Sequence, residues 1–143
     1  MVTSSSKPIR VLLVEDNPID VRATLRAAKK LKVANSIDVV GDGDQAIHYL
    51  ESGDQPKPSL VLLDLNLPGR DGHDVLAHMK GDEALKRIPV VILTTSANDA
   101  DVLGAYDLGA NAYVNKPIDL AGWQAVMEQI DSFWFSVVRL PPS

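Results

Sequence analysis

The sequence predicts an α/β fold in which a mainly parallel, doubly wound sheet of five strands carries helices on both faces. Three observations lead there: five short apolar runs rich in β-branched residues, segments of helical spacing between them, and turn residues at the joins. A parallel pairing needs a crossover connection, and strict alternation of strand and helix supplies one each time.

The first strand is expected at residues 9–14, after which Val21, Leu25 and Ala28 fall at helical spacing. The second is expected at residues 37–40. Gly41 and Gly43 then turn the chain into a helix marked by Ala46, Ile47 and Leu50. A loop with Gly53, Pro56 and Pro58 leads to the third strand at residues 60–63. Pro68, Gly69 and Gly72 punctuate the entry to a helix carrying Val75, Leu76 and Met79, and Gly81-Asp82 ends it. The fourth strand is expected at residues 90–93, followed by Val102, Ala105, Tyr106 and Gly109 on a helix, and the fifth at residues 112–114. In the last helix Trp123, Val126, Met127, Ile130, Phe133, Trp134 and Val137 share one stripe. The runs at residues 60–63 and 90–93 are uniformly apolar, as central strands covered on both faces should be.

With 143 residues the chain has the length of one ordinary domain. We expect a flexible N-terminus over residues 1–7, a folded unit over residues 8–132 and a hydrophobic C-terminal extension over residues 133–143. A composition 45% hydrophobic and 23% charged is that of a soluble globular protein, without an apolar run long enough to span a bilayer. Met1 to Ser6 are polar and lack the core of a secretory signal. The absence of cysteine excludes disulfides, thiol catalysis and thiolate metal sites, and is compatible with a cytoplasmic location. A net charge of −5 argues against general nucleic-acid binding and suits divalent cations better.

In sheets of this type ligands bind beyond the carboxyl ends of the strands. The polar residues of interest sit there: Glu15-Asp16 after the first strand, Asp64 after the third, Thr94-Thr95-Ser96 at the fourth and Lys116-Pro117 after the fifth. Converging carboxylates repel one another unless a cation joins them. A hard divalent ion takes oxygen ligands readily, so Asp16 and Asp64 are expected as direct ligands of Mg2+, Glu15 through water, and Asn66 through its backbone carbonyl. Alone, Glu15-Asp16 would read as a solvated helix entry; Asp64 reverses that reading. A carboxylate can attack phosphorus to give an acyl phosphate when the incoming anion is neutralised. Asp64 is the candidate nucleophile, solvent-accessible yet fixed by a rigid strand, with the Lys116 ammonium and the Thr94 hydroxyl placed to hold phosphoryl oxygens. His48, His73 and His78 lack convergent ligand spacing and read as helix-surface residues.

The strings Leu12-Leu13-Val14-Glu15-Asp16-Asn17, Leu62-Leu63-Asp64-Leu65-Asn66-Leu67-Pro68, Leu93-Thr94-Thr95-Ser96 and Gly109-Ala110-Asn111-Ala112-Tyr113-Val114-Asn115-Lys116-Pro117 occur in order at four predicted strand ends. Together they resemble response-regulator receiver domains over residues 8–132. The resemblance implies a flavodoxin-like sheet of strand order 2-1-3-4-5 and phosphorylation of Asp64 by a sensor histidine kinase. It implies Mg2+ as cofactor, with Mn2+ or Ca2+ as substitutes, a cis peptide before Pro117, and a conformational switch through Thr94 and Tyr113. Glu15 departs modestly from the pattern, since Asp is commoner there.

The aromatic tail and the long loop at residues 53–58 resemble the small receiver proteins that pair with bacterial phytochrome histidine kinases. Phe133, Trp134, Phe135 and Val138 are expected to form a homodimer contact, because a lone domain gains little by displaying apolar surface. With no output domain expected, the output would be a protein contact, dephosphorylation of a kinase partner, or relay to a histidine phosphotransfer protein. Two rivals from other classes fit less well. A flavodoxin needs a hydroxyl- and glycine-rich phosphate loop where this chain has the acidic segment Asp16-Asn17-Pro18-Ile19-Asp20. A phosphatase working through an aspartyl intermediate, an enzyme in its own right, needs a second acid near its nucleophile, and the corresponding position is Asn66.

Overall fold

The computed structural model describes residues 9–32, 35–96, 98–137 and 140–141. Five strands, β1 (Ile9–Val14), β2 (Asn35–Val40), β3 (Leu60–Leu63), β4 (Val90–Thr94) and β5 (Ala112–Asn115), alternate with helices α1 (Pro18–Ala28), α2 (Gly43–Glu51), α3 (Gly72–Lys80), α4 (Asp99–Asp107) and α5 (Leu120–Ile130). All strand pairs are parallel, in the order β2-β1-β3-β4-β5. Doubly wound topology is therefore as the sequence predicts.

Alternation along the strands divides the core in two. Leu12, Val14, Val61, Leu63, Val90 and Ile92 face Ala46, Ile47, Leu50, Val75, Leu76 and Met79 of α2 and α3. Val11, Leu13, Leu60, Leu62 and Val91 face Ala27 and Ala28 of α1 and Met127 and Ile130 of α5. Every residue of β3 and β4 is buried. Each of their Val, Leu and Ile side chains contributes roughly 1.5–3 kcal/mol by leaving water, so the central strands form a rigid base for the polar residues at their carboxyl ends.

Helix starts are fixed by side-chain caps. Asn17 accepts from the amides of Ile19 and Asp20, with Pro18 at the first helical position, and Asp42, Asp71, Asn98 and Asp119 accept from amides of α2, α3, α4 and α5. The phase of α1 differs from expectation: Ala23, Thr24, Ala27 and Ala28 are buried, whereas Val21 and Leu25 are half-buried. Small residues let α1 approach the sheet closely. Helix α4 buries only Ala105, and Tyr106 is exposed.

The apolar stripe of the last helix does not run straight to its end. After Ile130 the backbone widens into a π-helical segment, Asp131–Val137. Its longer turn shifts the side chains around the axis, so Phe133 is 52% exposed while Trp134 stays against the core. The two rings meet edge to face, 5.4 Å between centroids.

Candidate functional site

The strand register brings the centre of the site together. Pairing of Val14 with Leu63 places Glu15 beside Asp64, and the Asp64 amide donates to Val14 O at 3.1 Å. Pairing of Thr94 with Asn115 does the same for Lys116, whose amide donates to Thr94 O at 2.8 Å. Helix α3 then closes on the strand end. A Cβ on Gly72 would stand 2.4 Å from Asp64 O and 2.6 Å from Leu65 Cα, so only glycine permits this approach.

Carboxylate oxygens of Glu15, Asp16 and Asp64 lie within 4.8 Å of one another. Glu15 and Asp64 are buried and Asp16 is exposed. Asp16 lines the mouth of a cleft of about 540 Å³ with Asn66, Pro68, Asp71, His73 and Asp101 among its walls. The Lys116 ammonium sits inside the cluster, 2.6 Å from Glu15 Oε1 and 2.9 Å from both Asp64 Oδ2 and Asp20 Oδ2. Asp20, in the first turn of α1, is a participant that sequence reasoning missed. Its signal was its place one helical turn beyond Asp16, with its carboxylate returning toward the strand ends.

Asp64 is more enclosed than expected, at 5% exposure. The reason is local: the Asn66 amide donates to its Oδ1 at 3.1 Å and Lys116 holds its Oδ2. Charge in the cluster is unevenly matched. Burial, reinforced by the Asp64 charge, pushes the Glu15 carboxyl up to about 7 despite its hydrogen bonds from Lys116 and the Asn17 amide. Burial works against the Lys116 ammonium, but hydrogen bonds to Glu15, Asp20 and Asp64 together outweigh it and hold its pKa above that of an ordinary lysine.

Thr94 is fully buried, and its Oγ1 accepts from Asn66 Nδ2 at 3.4 Å. Tyr113 lies on β5. Its ring packs against the α3 side of the core, and its hydroxyl donates to Ser96 O at 2.9 Å, joined there by Asn115 Nδ2 at 3.0 Å. The Ser96 hydroxyl in turn donates to Asp101 on α4. A chain of contacts therefore runs from the strand end through the β4–α4 loop to α4.

A divalent cation fits the donor set. Three carboxylates share one small space with a single ammonium, and burial together with the Asp64 charge raises the Glu15 carboxyl there. Glu15, Asp16 and Asp64 are the carboxylates that would hold it.

Three expectations need correction or limits. No peptide bond among the described residues is cis, so Lys116–Pro117 is trans, the form an X–Pro bond prefers by roughly 0.5–1 kcal/mol when nothing else decides. His78 is not a bare surface histidine: its Nε2 lies 2.8 Å from Glu51 Oε2. Of the proposed dimer residues, Phe133 and Trp134 are described, whereas the Phe135 side chain and Val138 lie outside the described residues, as does the N-terminal segment 1–7.

Among the described residues no helix is long and apolar enough to cross a membrane. The family model of the response regulator receiver domain matches residues 11–128. Over 145 residues the chain is 41% identical to Response regulator Rcp1 of Synechocystis sp., covering 99% of each. The crystal structure of the phosphorylated cyanobacterial phytochrome response regulator RcpA superposes with a TM-score of 0.91 at 41% identity, covering 95% of this chain and 100% of that one. The Mn2+-bound form of Rcp1 gives a TM-score of 0.88 at 41% identity, over 94% of this chain and 100% of that one. The chain belongs to the receiver domain family of response regulators, signalling proteins that bind a divalent metal and accept a phosphoryl group from a histidine kinase.

Proposed function

We propose that Asp64 is the phosphoacceptor of a magnesium-dependent switch, charged by a sensor histidine kinase of the phytochrome type. The observation that carries this reading is Lys116 held at 2.9 Å from Asp64 while Glu15 and Asp16 complete the acidic cluster. A bound Mg2+ supplies neutralisation of the incoming phosphoryl anion. An Asp64 oxygen attacks phosphorus, the bond from phosphorus to the donor imidazole nitrogen breaks, and that nitrogen keeps the electron pair. Lys116 exchanges a carboxylate contact for a phosphoryl oxygen, and the Thr94 hydroxyl turns from Asn66 to another.

Those movements bias the rest of the domain. Thr94 and Tyr113 flank the β4–α4 loop, and α4 is held by one buried residue, so it is the element that a few new hydrogen bonds can shift. The face for the kinase is the rim beside Lys116: Ile118 is fully exposed, with Ile19 and Leu120 also exposed around a groove of about 790 Å³ between α1 and the start of α5. The similarity to RcpA and Rcp1, the former named as a phytochrome response regulator, supports the phytochrome pairing. Onward transfer to a histidine phosphotransfer protein would use the same rim.

We assign residues 8–132 to the receiver domain and residues 133–143 to a homodimer contact built on Phe133, Trp134, Phe135 and Val138. The cytoplasm is the compartment in which such a kinase output operates. The test is transfer from a labelled, autophosphorylated kinase of this class: label should move to the chain and not to Asp64→Asn. Transfer to the variant would reject Asp64 as acceptor.

A further inference from the structure

Away from the Asp64 cluster, one other group of side chains brings metal-ligating atoms together among the described residues. Glu51 ends α2, His78 lies in the last turn of α3, and Asp82 follows Gly81, the C-cap of α3; their ligand atoms lie within 4.8 Å of one another. Glu51 Oε2 and His78 Nε2 are already 2.8 Å apart.

We propose that Glu51, His78 and Asp82 form a second metal site, selective for a borderline divalent transition cation of the Zn2+ type, which ties the end of α2 to the end of α3. Each ligand is held in place for its own reason. The Asp82 carboxylate is oriented because its Oδ1 accepts from the Ala84 amide at 2.7 Å, which leaves its other oxygen for a metal. His78 and Asp82 are four residues apart, and the helical hydrogen bonding continues past Lys80 through the Gly81 amide to Ala77 O, so both side chains share one face. Glu51 sits on a helix whose Ala46, Ile47 and Leu50 are buried in the same core as Val75, Leu76 and Met79 of α3. The separation between the two helix ends is therefore fixed by packing.

The chemistry of the set chooses the ion. One imidazole nitrogen and two carboxylate oxygens suit Zn2+, whereas Mg2+ prefers an all-oxygen octahedron. Zinc bonds of about 2.0–2.2 Å put tetrahedral ligand atoms roughly 3.4 Å apart, so side-chain rotation of about 1 Å closes the site without moving either helix. The nearest lysine on α3 does not compete: Lys80 Nζ donates to Lys86 O and Ile88 O. The two carboxylates give the cation a net negative surrounding.

The test is calorimetric titration of the full chain with Zn2+ in saturating Mg2+, which occupies the Asp64 cluster. One Zn2+ per chain should bind. His78→Gln should weaken it at least about tenfold, since even outer-shell partners of a metal cost that much. Asp82→Asn should weaken it in the same direction, and His48→Gln, one turn before Glu51, should leave it unchanged. Zn2+ should also raise the thermal midpoint of the unaltered chain but not of His78→Gln, because only the folded site binds. The same binding should survive in Asp64→Asn. Absence of saturable binding, full affinity in His78→Gln, or loss of binding in Asp64→Asn would each overturn the proposal.

Discussion

Replacing Lys116 by methionine removes the one cation inside the acidic cluster while keeping the length of its stem. Lys116 is 6% exposed on its side chain, and its carboxylate partners Glu15 and Asp64 are 3% and 5% exposed. Breaking a buried ion pair by deleting one partner costs about 3–5 kcal/mol, because the charge left behind has no water to return to. Asp20 is better solvated, at 20% exposure, and can turn outward, which favours the lower end of that range. For a chain of this size about 3 kcal/mol corresponds to a fall of about 10 °C in Tm. The assay is thermal unfolding monitored by circular dichroism, first in chelator and then in Mg2+. In chelator the full fall should appear. In Mg2+ it should shrink, since a cation that binds a more negative cluster more tightly stabilises the folded state by an amount that rises with the logarithm of its affinity. A fall of less than about 3 °C in chelator, or one that Mg2+ leaves untouched, would refute the view that Lys116 neutralises buried carboxylates.

The same contacts have other consequences. Gly72→Ala sets a methyl group against backbone atoms of Asp64 and Leu65, so chemical denaturation should show a loss of about 1–3 kcal/mol, whereas Gly53→Ala, with open space around it, should change little. Tyr113→Phe deletes the hydroxyl bond to Ser96 O; stability should fall by about 1 kcal/mol while phosphorylation of Asp64 persists, and loss of phosphorylation would remove Tyr113 from the output side of the switch. Burial, with its bond to Asp38, raises the Tyr49 phenol above its ordinary value of 10.0. Below that value both folded and unfolded chains keep the proton; above it the unfolded chain loses the proton first, so stability drops as pH rises. Tyr49→Phe should flatten that alkaline fall, as read from unfolding midpoints in denaturant between neutral and strongly alkaline pH.

Much of this architecture was legible because its cause is local. β3 needed only an uninterrupted apolar run, and its expected and observed limits coincide. β2, β4 and β5 extend one or two residues beyond their apolar runs because Asn35, Thr94 and Asn115 still make ladder pairs that hydropathy does not reveal. The strand-end placement of Glu15, Asp64, Thr94 and Lys116 came from parallel topology. What escaped was set by geometry between elements. Asp20 reaches Lys116 across 96 positions of sequence, His78 meets Glu51 across 27, and the widened turn after Ile130 moves Phe133 off a stripe that a regular helix would have kept. The enclosure of Asp64 belongs to the same class, since it depends on where the Lys116 stem comes to rest.

The central claim is that Asp64, within its acidic and lysine-bound cluster, accepts one phosphoryl group when a divalent cation is supplied. Intact-mass spectrometry after incubation with a small acyl-phosphate donor addresses it directly, comparing the chain with and without Mg2+ and alongside Asp64→Asn. The account predicts one added phosphoryl group on the unaltered chain in Mg2+ and none in chelator or on the variant. An added group on Asp64→Asn, or none on the unaltered chain in Mg2+, would contradict it.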